Sequence, residues 1–454
     1  MWRDLVEALL LSSLALPAVA LAGLGLSWLL GLPVSEGATT RVSVAATGLS
    51  AIFTVAGAAS ALCLGHLPVE FGPWPWFSVG HYTFSFTLRW DAVSLVMAVG
   101  TSVLSGLVVG FSVPYLHREK GVFRYFLLML VFATAMQWLV VAGSYDQLFL
   151  GWELVGLTSI LLVAFFNDRA RPVNAAVRVM VVYKLADLGL LIGAVVMHQV
   201  AHGTDFSNLH QAHLTEGQAT ALALLLLLAA SGKAAQLPFG TWLPRAMEGP
   251  TPSSAVFYGA LSVHAGIYLL IRSAPLFQQS TVASVAAVLM GGATAFAGAM
   301  LSRVQADAKT SLAWASMSQL GLMVVEVGLH LPTVALVHLI GHASLRGYQM
   351  LRAPNLLHDT IALRKALGVG TLSFGAHPVQ GFLYRALRDG LFIDVVVERH
   401  LIRPVLSLGH TFERLEQRVA RRLGGAAERK DPRRPSLDSI PRADAPTKPQ
   451  EAPR

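Results

Sequence analysis

The hydrophobic positions of this chain fall into long blocks separated by short polar segments. Blocks of roughly 20 apolar residues have the length of a helix that crosses the hydrocarbon core of a bilayer. The pattern predicts about eleven membrane-spanning helices, so the predicted fold class is an all-α polytopic membrane protein whose first span is retained rather than cleaved. We place the spans at residues 5–31, 42–65, 92–115, 122–143, 146–166, 175–199, 219–243, 253–277, 281–301, 309–329 and 332–352.

The segment between the second and third spans has a different pattern. From Phe71 to Phe86 it reads Phe-Gly-Pro-Trp-Pro-Trp-Phe-Ser-Val-Gly-His-Tyr-Thr-Phe-Ser-Phe. Its second part alternates apolar and polar residues between turn-forming residues, which is typical of paired β-strands. We expect a β-hairpin whose tryptophans lie at the membrane–water interface.

The long apolar blocks end before Asp359. Residues 377–423 mix polar and apolar residues with helical periodicity, which is typical of amphipathic helices on a membrane surface. Residues 424–454 are rich in Pro, Arg, Ala and Asp, and we expect them to be disordered. The predicted units are N-terminal spans with the hairpin (1–115), a membrane core (116–360), amphipathic C-terminal helices (361–423) and a basic tail (424–454).

Composition supports a membrane protein and excludes other classes. Hydrophobic residues make up 54% of the 454 positions and charged residues only 13%, whereas a soluble domain carries about 25% charged residues. The single cysteine, Cys63, excludes a disulfide framework within the chain. Much of the net charge of +8 comes from the last fifty residues, and no nucleic-acid motif is present. No nucleotide-binding loop and no haem or iron–sulfur ligand pattern occurs, so we expect no cofactor and no catalytic site of the chain's own.

Lysines and arginines concentrate in every second loop. The loops after odd-numbered spans contain most of them, as in Arg118, Lys120 and Arg124 after the third span. Because positively charged loops stay in the cytoplasm, we predict a bacterial inner-membrane protein with its N-terminus outside and its C-terminus inside. Arg89 and Arg272 are the exceptions to this distribution.

A few titratable residues lie within the predicted spans. A charge at that depth costs about 2.5–3.5 kcal/mol on insertion scales, so such residues are functional candidates by default. They are Glu153, Lys184, Asp187, Lys233, His264, His338, His342 and Arg346.

Lys233 is the strongest single candidate. Ser231 and Gly232 precede it and Pro238 follows it in an otherwise apolar span. Gly and Pro loosen a helix, and non-helical backbone at this depth is tolerated only inside protein or beside a wet cavity. The pattern predicts a broken helix at a proton-carrying lysine; the alternative is a lysine that extends to the membrane surface.

An acid and an ion pair precede this lysine. Glu153 has apolar neighbours on both sides, and the alternative is an acid that reaches the membrane surface. Lys184 and Asp187 are three residues apart and share one helical face, where they can pair. A purely structural ion pair is the alternative to a switch in proton transfer.

Histidines complete the set. His338 and His342 are four residues apart on one face, with Arg346 one turn further along. Zinc binding is one alternative, but no third ligand is evident, and a histidine relay titrates near neutral pH. His264 can bridge Lys233 and this pair, or it can be a packed core histidine.

Five ordered sequence blocks resemble one known family. The match covers about residues 80 to 350 and is to the antiporter-like subunits of respiratory complex I, above all the L subunit. Mrp cation/proton antiporter subunits and the membrane subunit of the DAB inorganic-carbon transporter belong to the same family. The blocks are Gly151-Trp-Glu-Leu-Val-Gly-Leu, Ser231-Gly-Lys-Ala-Ala-Gln-Leu-Pro, Ala246-Met-Glu-Gly-Pro-Thr-Pro-Ser-Ser-Ala, Met317-Ser-Gln-Leu-Gly and His338-Leu-Ile-Gly-His-Ala.

The resemblance implies roles for single residues. Glu153 matches the acidic residue of the family's proton pathway, and Lys233 matches the central lysine of its broken helix. Asp187 matches the acid of the ion pair on the preceding span, where Lys184 replaces the usual arginine. The histidines that match the second repeat are His338 and His342.

The resemblance also implies two inverted five-helix repeats, which here would begin near residues 122 and 281. The sequence departs from the family at three points. Tyr258 stands where the family usually has His, so His264 is expected to take that role. Arg346 replaces a lysine, and arginine does not readily lose a proton. The second repeat stops after the eleventh span and is expected to be truncated.

The shortened repeat favours the DAB membrane subunit within this family. We therefore predict a proton-translocating subunit of an inorganic-carbon uptake complex, with a large cytoplasmic zinc protein resembling β-carbonic anhydrase as its partner. The alternatives are an L-type subunit of NADH–quinone oxidoreductase, with respiratory subunits as partners, and an Mrp-type antiporter subunit. A purely structural membrane scaffold is a further alternative.

Overall fold

The computed structural model describes residues 2–79, 82–201, 203–206, 209, 214–305, 307–353 and 393–422 of the chain. Long helices form most of this part. We label them α1 (Trp2–Leu29), α2 (Glu36–Cys63), α3 (Ala92–Tyr115), α4 (Val122–Val141), α5 (Tyr145–Val163), α6 (Ala170–Ala201), α7 (Glu216–Lys233), α8 (Ser262–Arg272), α9 (Thr281–Arg303), α10 (Ala308–Gly328) and α11 (Pro332–Arg352).

The helices confirm the predicted class of polytopic membrane protein. In the described part of the chain, eight helical segments are long and apolar enough to cross a bilayer: α1 to α6, α9 and the segment Thr251–Arg272. The three remaining predicted spans are also helical, as α7, α10 and α11, but contain more polar residues.

The predicted hairpin is present between α2 and α3. Strand β1 (Val69–Val79) pairs with β2 (Tyr82–Trp90) in antiparallel register, from Val69 opposite Trp90 to Val79 opposite Tyr82. Asp91 then starts α3 as its N-cap, because its side chain accepts a hydrogen bond from the Ser94 backbone N–H. Trp74 and Trp76 of β1 are exposed, as the sequence predicts for aromatic residues at an interface.

The connections between helices gather at two ends of the bundle. At the hairpin end, Gly143 between α4 and α5 donates a backbone hydrogen bond to Thr87 of β2. Tyr145 donates one to Thr204, in the connection after α6. At the opposite end, Glu36 at the start of α2 contacts His117 after α3. The loops therefore alternate between the two ends as the predicted spans require.

Two predicted spans are not continuous helices. The span predicted at 219–243 ends as a helix at Lys233 and continues as short turns between Phe239 and Glu248. The span predicted at 253–277 contains a π-helical turn, Ala255–Ala260, before α8 begins. The first break follows from Pro238, which has no N–H to donate and disfavours helix in the residue before it.

Side chains satisfy the backbone groups that the first break frees. The indole N–H of Trp242 donates to the carbonyl of Gly232 at 2.9 Å. Thr294 of α9 accepts a hydrogen bond from the backbone N–H of Leu237 at 3.0 Å. The break is thus stable at membrane depth because it is enclosed by protein, which supplies the partners that lipid cannot.

Small residues hold α7 close to its neighbours. A Cβ atom on Gly189 of α6 would lie 2.9 Å from the backbone nitrogen of Ala229 in α7. A Cβ on Gly266 of α8 would lie 2.9 Å from the carbonyl oxygen of Ala230. Close backbone approach at small residues is typical of membrane helix packing, and it places α7 between α6 and α8.

The C-terminal helical segment 393–422 packs at its start against α6. Glu398 forms an ion pair with Arg178, and Ile402 packs with Val181. Beyond this contact the helix exposes apolar residues at every third or fourth position, as an amphipathic helix does. They are Val405, Leu408, Phe412, Leu415 and Val419.

The remaining predictions for the C-terminal region lie outside the described residues. Of the predicted amphipathic region 361–423, the structure describes residues 393–422. The predicted basic tail, 424–454, falls wholly outside.

Candidate functional site

Lys233 is buried at the last residue of α7. Its side chain is 1% exposed. The ammonium Nζ donates a hydrogen bond of 2.8 Å to the backbone carbonyl of Trp152 in α5. It also lies over two aromatic rings, 4.4 Å from the centroid of Trp152 and 4.9 Å from that of Tyr183. The helix end, one carbonyl and two ring faces thus stabilise a cation away from water.

Trp152 connects this lysine to the ion pair on α6. While its carbonyl accepts from Lys233, its indole N–H donates to a carboxylate oxygen of Asp187 at 2.5 Å. Asp187 is buried as well. One tryptophan therefore holds a buried cation and a buried anion at fixed positions.

Lys184 lies between two carboxylates. It forms an ion pair with Glu153 of α5, and its Nζ lies 4.0 Å from an oxygen of Asp187 on its own helix. The predicted pairing of Lys184 with Asp187 is present, but the closer partner is Glu153. The Lys184 side chain is 57% exposed and that of Asp187 only 7%, so the charged groups lead from the surface of the bundle inwards.

Gly156 makes room for the lysine. A Cβ at this position would lie 3.2 Å from Nζ of Lys233 and 3.4 Å from the ring of Tyr183. Gly156 is also one helical turn after Trp152, whose carbonyl binds the ammonium. A larger side chain here would occupy the space in which Lys233 reaches that carbonyl.

The histidines form a second cluster. His264 of α8 and His342 of α11 share a hydrogen bond of 2.9 Å between Nε2 and Nδ1. The rings of His338 and His342 have centroids 6.4 Å apart. His338 in turn contacts Glu326 of α10 at 2.8 Å and Gln319 at 3.0 Å. A row of three histidines thus ends at a carboxylate.

Arg346 is less closely connected. It lies one turn beyond His342 on α11, as predicted, and it is half-buried. Its Nε makes no hydrogen bond within the described part of the chain. The structure therefore does not join Arg346 directly to the histidine row.

The two clusters are separated by aromatic and hydroxyl side chains. No hydrogen bond among the described residues joins Lys233 to His264, so the predicted bridge is made only on its histidine side. Tyr183 packs edge-on against Trp242 with a centroid distance of 5.0 Å. The hydroxyl of Tyr258, at the position of the expected family histidine, contacts Ser159 at 3.1 Å.

Sequence reasoning missed four residues of this site: Trp152, Gly156, Tyr183 and Glu326. Trp152 directly precedes Glu153, and Glu326 is an acid within the apolar run Leu322-Met-Val-Val-Glu-Val. The cost of a charge in a span was the signal that could have found Glu326. For Trp152 and Tyr183 the sequence carries no such signal, since aromatic residues are common in helical cores.

These features define a class of protein: a polytopic membrane protein with a row of buried titratable groups at a broken helix. The chain belongs to the NADH:quinone oxidoreductase/Mrp antiporter transmembrane family, whose model matches residues 142–380. A second model, of the N-terminus of chain 5 of NADH-ubiquinone oxidoreductase (complex I), matches residues 76–126. The predicted family is confirmed at this level.

Individual relatives agree with this assignment. NADH-ubiquinone oxidoreductase chain 5 of Metridium senile is 37% identical over 301 residues, which cover 65% of this chain and 50% of the relative. The chain 5 protein of Allomyces macrogynus is 34% identical over 327 residues, 71% of this chain and 51% of the relative. The chain thus spans about half the length of the curated relatives it matches.

Two solved structures have the same fold. The Mrp complex from Dietzia sp. DQ12-45-1b matches with a TM-score of 0.64 and 27% identity, covering 76% of this chain and 37% of that one. An archaeal membrane-bound sulfane sulfur reductase matches with a TM-score of 0.64 and 19% identity, covering 76% of this chain and 70% of that one. The similarity to the sulfane sulfur reductase supports a shared fold only.

Proposed function

We propose that the chain is a proton-translocating, antiporter-like subunit of an ion-coupled membrane complex of the respiratory complex I or Mrp kind. The observation that carries this proposal is Lys233, a buried lysine at a helix break. It is linked through Trp152 to a row of charged groups that begins at the surface of the bundle. Nearby carboxylates would stabilise any buried lysine, but a proton carrier also needs neighbouring charges that can change, and the exposed Lys184–Glu153 pair supplies them.

The contacts suggest how charge is passed inwards. With Glu153 ionised, Lys184 is held at the surface of the bundle. When Glu153 takes up a proton this attraction is lost, and Lys184 turns to Asp187, only 4.0 Å away. An Asp187 paired with Lys184 attracts Lys233 less strongly, and Lys233 then releases a proton towards the histidines.

The exposed charges support a place in a larger complex. Lys184 and Glu153 lie at the surface of helices that cross the membrane. Charges facing lipid at this depth are costly, and a neighbouring protein subunit that covers the pair would remove that cost. We propose the predicted orientation as well, with the hairpin end outside and the C-terminal helix in the bacterial cytoplasm.

We favour the respiratory or Mrp setting over inorganic-carbon uptake. The relatives named above are subunits of NADH-ubiquinone oxidoreductase and of an Mrp complex. The match to the DAB membrane subunit and its zinc-protein partner therefore stays a prediction from sequence length and motifs. Co-purification from the native membrane separates the two, because respiratory or Mrp subunits support our proposal and a single large zinc protein contradicts this setting.

Lys233→Ala tests proton translocation. In inverted membrane vesicles that contain the complex, a pH-sensitive dye reports proton uptake. We expect the variant to insert normally and to lose most of the uptake, because alanine carries no proton at the break. The control is Lys120→Ala, which removes an exposed lysine from a loop. Normal uptake by Lys233→Ala would overturn the proposal.

A further inference from the structure

The space between Lys233 and the histidine row contains a tyrosine hydroxyl with no assigned role. We propose that the hydroxyl of Tyr183 is a proton-relay group between Lys233 and the start of α8, where His264 lies. This inference rests on the proposed function, because it assigns the next acceptor of the proton that Lys233 releases. It adds a route through a neutral hydroxyl to a path otherwise made of charged groups and histidines.

The ring of Tyr183 is held in a fixed position. Its side chain is 1% exposed. One side of the ring faces the Lys233 ammonium, 4.9 Å from the ring centroid, and its edge meets Trp242 at 5.0 Å. Gly156 lies next to the ring, because a Cβ at this position would be 3.4 Å from it. The hydroxyl therefore points from the lysine's immediate surroundings towards neighbouring helices.

The hydroxyl itself has unused hydrogen-bonding capacity. It is fully buried, yet within the described part of the chain it makes no hydrogen bond of ordinary geometry. It lies beside the hydroxyls of Ser159 in α5 and Ser262 at the start of α8. Ser262 is likewise buried, and its hydroxyl has no hydrogen-bond partner among the residues that the structure describes. Two such groups side by side are unusual in a folded interior, where nearly all buried polar atoms are satisfied.

Other polar groups near the lysine are already occupied. Tyr258 shares a hydrogen bond with Ser159 at 3.1 Å. The indole of Trp242 donates to Gly232, and indole nitrogen accepts no proton. Among the described residues around Lys233, Tyr183 is thus the group that combines an aromatic contact with the ammonium and a hydroxyl beside those of Ser159 and Ser262.

The relay step moves one positive charge away from the lysine and leaves Tyr183 neutral. An N–H bond of the ammonium breaks and its proton passes to a solvent water beside the Tyr183 hydroxyl. That water gives a proton to the Tyr183 oxygen, the original hydroxyl proton passes to the Ser262 oxygen, and Ser262 gives its own hydroxyl proton to His264. Lysine ends neutral, both hydroxyls end as they began, and the excess proton ends on the His264 imidazole, whose Nδ1 has no hydrogen-bond partner among the described residues. No tyrosinate forms, so no second charge has to be buried.

Tyr183→Phe tests this role because it removes only the oxygen. The ring contacts with Lys233 and Trp242 are kept. We expect proton uptake in vesicles carrying the complex to slow by about 10-fold or more, the scale of a lost proton-transfer group. The slowing should be larger in D2O, since proton transfer becomes rate-limiting. The matched control is Tyr125→Phe in α4, which removes an equally buried hydroxyl that is hydrogen-bonded to Ser112 of α3.

A second variant keeps the inference testable if Tyr183→Phe fails to insert. Ser262→Ala removes the next hydroxyl and should cause a similar slowing with a raised isotope effect. The double variant should be no slower than either single one, because both act in one relay. Uptake by Tyr183→Phe equal to that of Tyr125→Phe, or a normal rate for Ser262→Ala, overturns the relay. If Lys233→Ala is inactive in the same vesicles, the proposed function survives that result.

Discussion

Trp152 shows how one residue sets the position of two others. Its indole N–H donates to Asp187 and its carbonyl accepts from Lys233, so the buried anion and the buried cation are spaced by a rigid side chain. The two groups need no direct contact to influence each other, because Coulomb attraction acts over several ångströms in a medium of low dielectric constant.

Replacing Trp152 with Phe should therefore uncouple the two groups. Phenylalanine keeps an aromatic face under Lys233 but cannot donate to Asp187. A hydrogen bond to a charged group is worth ~1.5–3 kcal/mol, so we expect proton uptake to fall by about tenfold or more. Trp138→Phe is the control, because the Trp138 indole makes no hydrogen bond to any described residue. Equal rates for the two variants would remove Trp152 from the path.

Glu153 permits a test of charge against shape. Glu153→Gln keeps the size of the side chain but cannot hold Lys184 by charge, so we expect proton uptake to be impaired while expression is retained. Glu153→Asp keeps the charge on a shorter stem and should retain part of the activity. The measurement is dye-reported uptake in vesicles, with the loop variant Glu119→Gln as control. Wild-type uptake by Glu153→Gln would show that its charge plays no part.

For single residues, the sequence predicted which functional side chains lie within the spans better than it predicted the contacts between them. Lys233 was found because a lysine, two small residues and a proline interrupt an apolar run, which is a local signal. The contact of Lys184 with Glu153 was not found, because it joins residues on two helices whose relative rotation no local pattern specifies. The same reason explains why Trp152 and Tyr183 were missed.

Helix packing decides whether the site is assembled. Lys233 reaches Trp152 only because α7 lies close against α6, and Gly189 is one of the positions that permits this. A Cβ on Gly189 would meet the carbonyl oxygen of Leu225 as well as the Ala229 nitrogen. Backbone atoms cannot move aside as a flexible side chain does, so the helices themselves would have to separate.

Gly189→Ala should consequently destabilise the protein. Overpacking of a tight contact costs about 1–3 kcal/mol, and we expect a lower midpoint of thermal unfolding in detergent together with reduced proton uptake. Gly110→Ala in α3 is the matched control, because an added Cβ there meets no atom within 4 Å. Its stability should be unchanged or slightly raised, since alanine favours helix. Identical midpoints for both variants would contradict the packing argument.

Elements were predictable where their cause is local. The hairpin and the break after Lys233 follow from alternation and from proline, and both are present. The π-helical turn at Ala255–Ala260 was not predicted. In this turn the Leu261 N–H donates to the carbonyl of Val256, five residues earlier, at 2.8 Å. Packing against the neighbouring helices decides this geometry, and the residues of the turn alone do not.

For the whole molecule, the hairpin end is tied together by charge. Arg272 of α8 forms two hydrogen bonds with Asp91, of 2.6 and 3.0 Å, and Arg89 pairs with Glu70 at 2.9 Å. Burial alone would raise the pKa of the Asp91 carboxyl, but hydrogen bonds and the charge of Arg272 lower it to about 2. Asp91 thus stays ionised and cancels the charge of Arg272 at physiological pH.

This network explains the two exceptions to the loop charge pattern. Arg89 and Arg272 are matched by Glu70 and Asp91, so they add no net positive charge to the hairpin end. The opposite end contains most of the loop lysines and arginines, as in Arg118, Lys120 and Arg124, and we expect it to face the cytoplasm.

Cysteine labelling can check this orientation. In a Cys63→Ser background, Ser78→Cys on the exposed hairpin should react with a membrane-impermeant maleimide in intact cells. Lys120→Cys, between α3 and α4, should react only after the cells are permeabilised. The reverse pattern would invert the orientation, and the cysteine-free protein provides the blank.

The acceptor of the Lys233 ammonium is a main-chain oxygen, and this has a consequence for reading the family's evolution. Residues in contact usually leave a trace as positions that change together, but a carbonyl is the same whatever amino acid carries it. Statistical coupling between aligned positions will therefore not reveal the shortest contact of the Lys233 ammonium. The trace should fall instead on Gly156, because a side chain at this position would lie against the Lys233 ammonium.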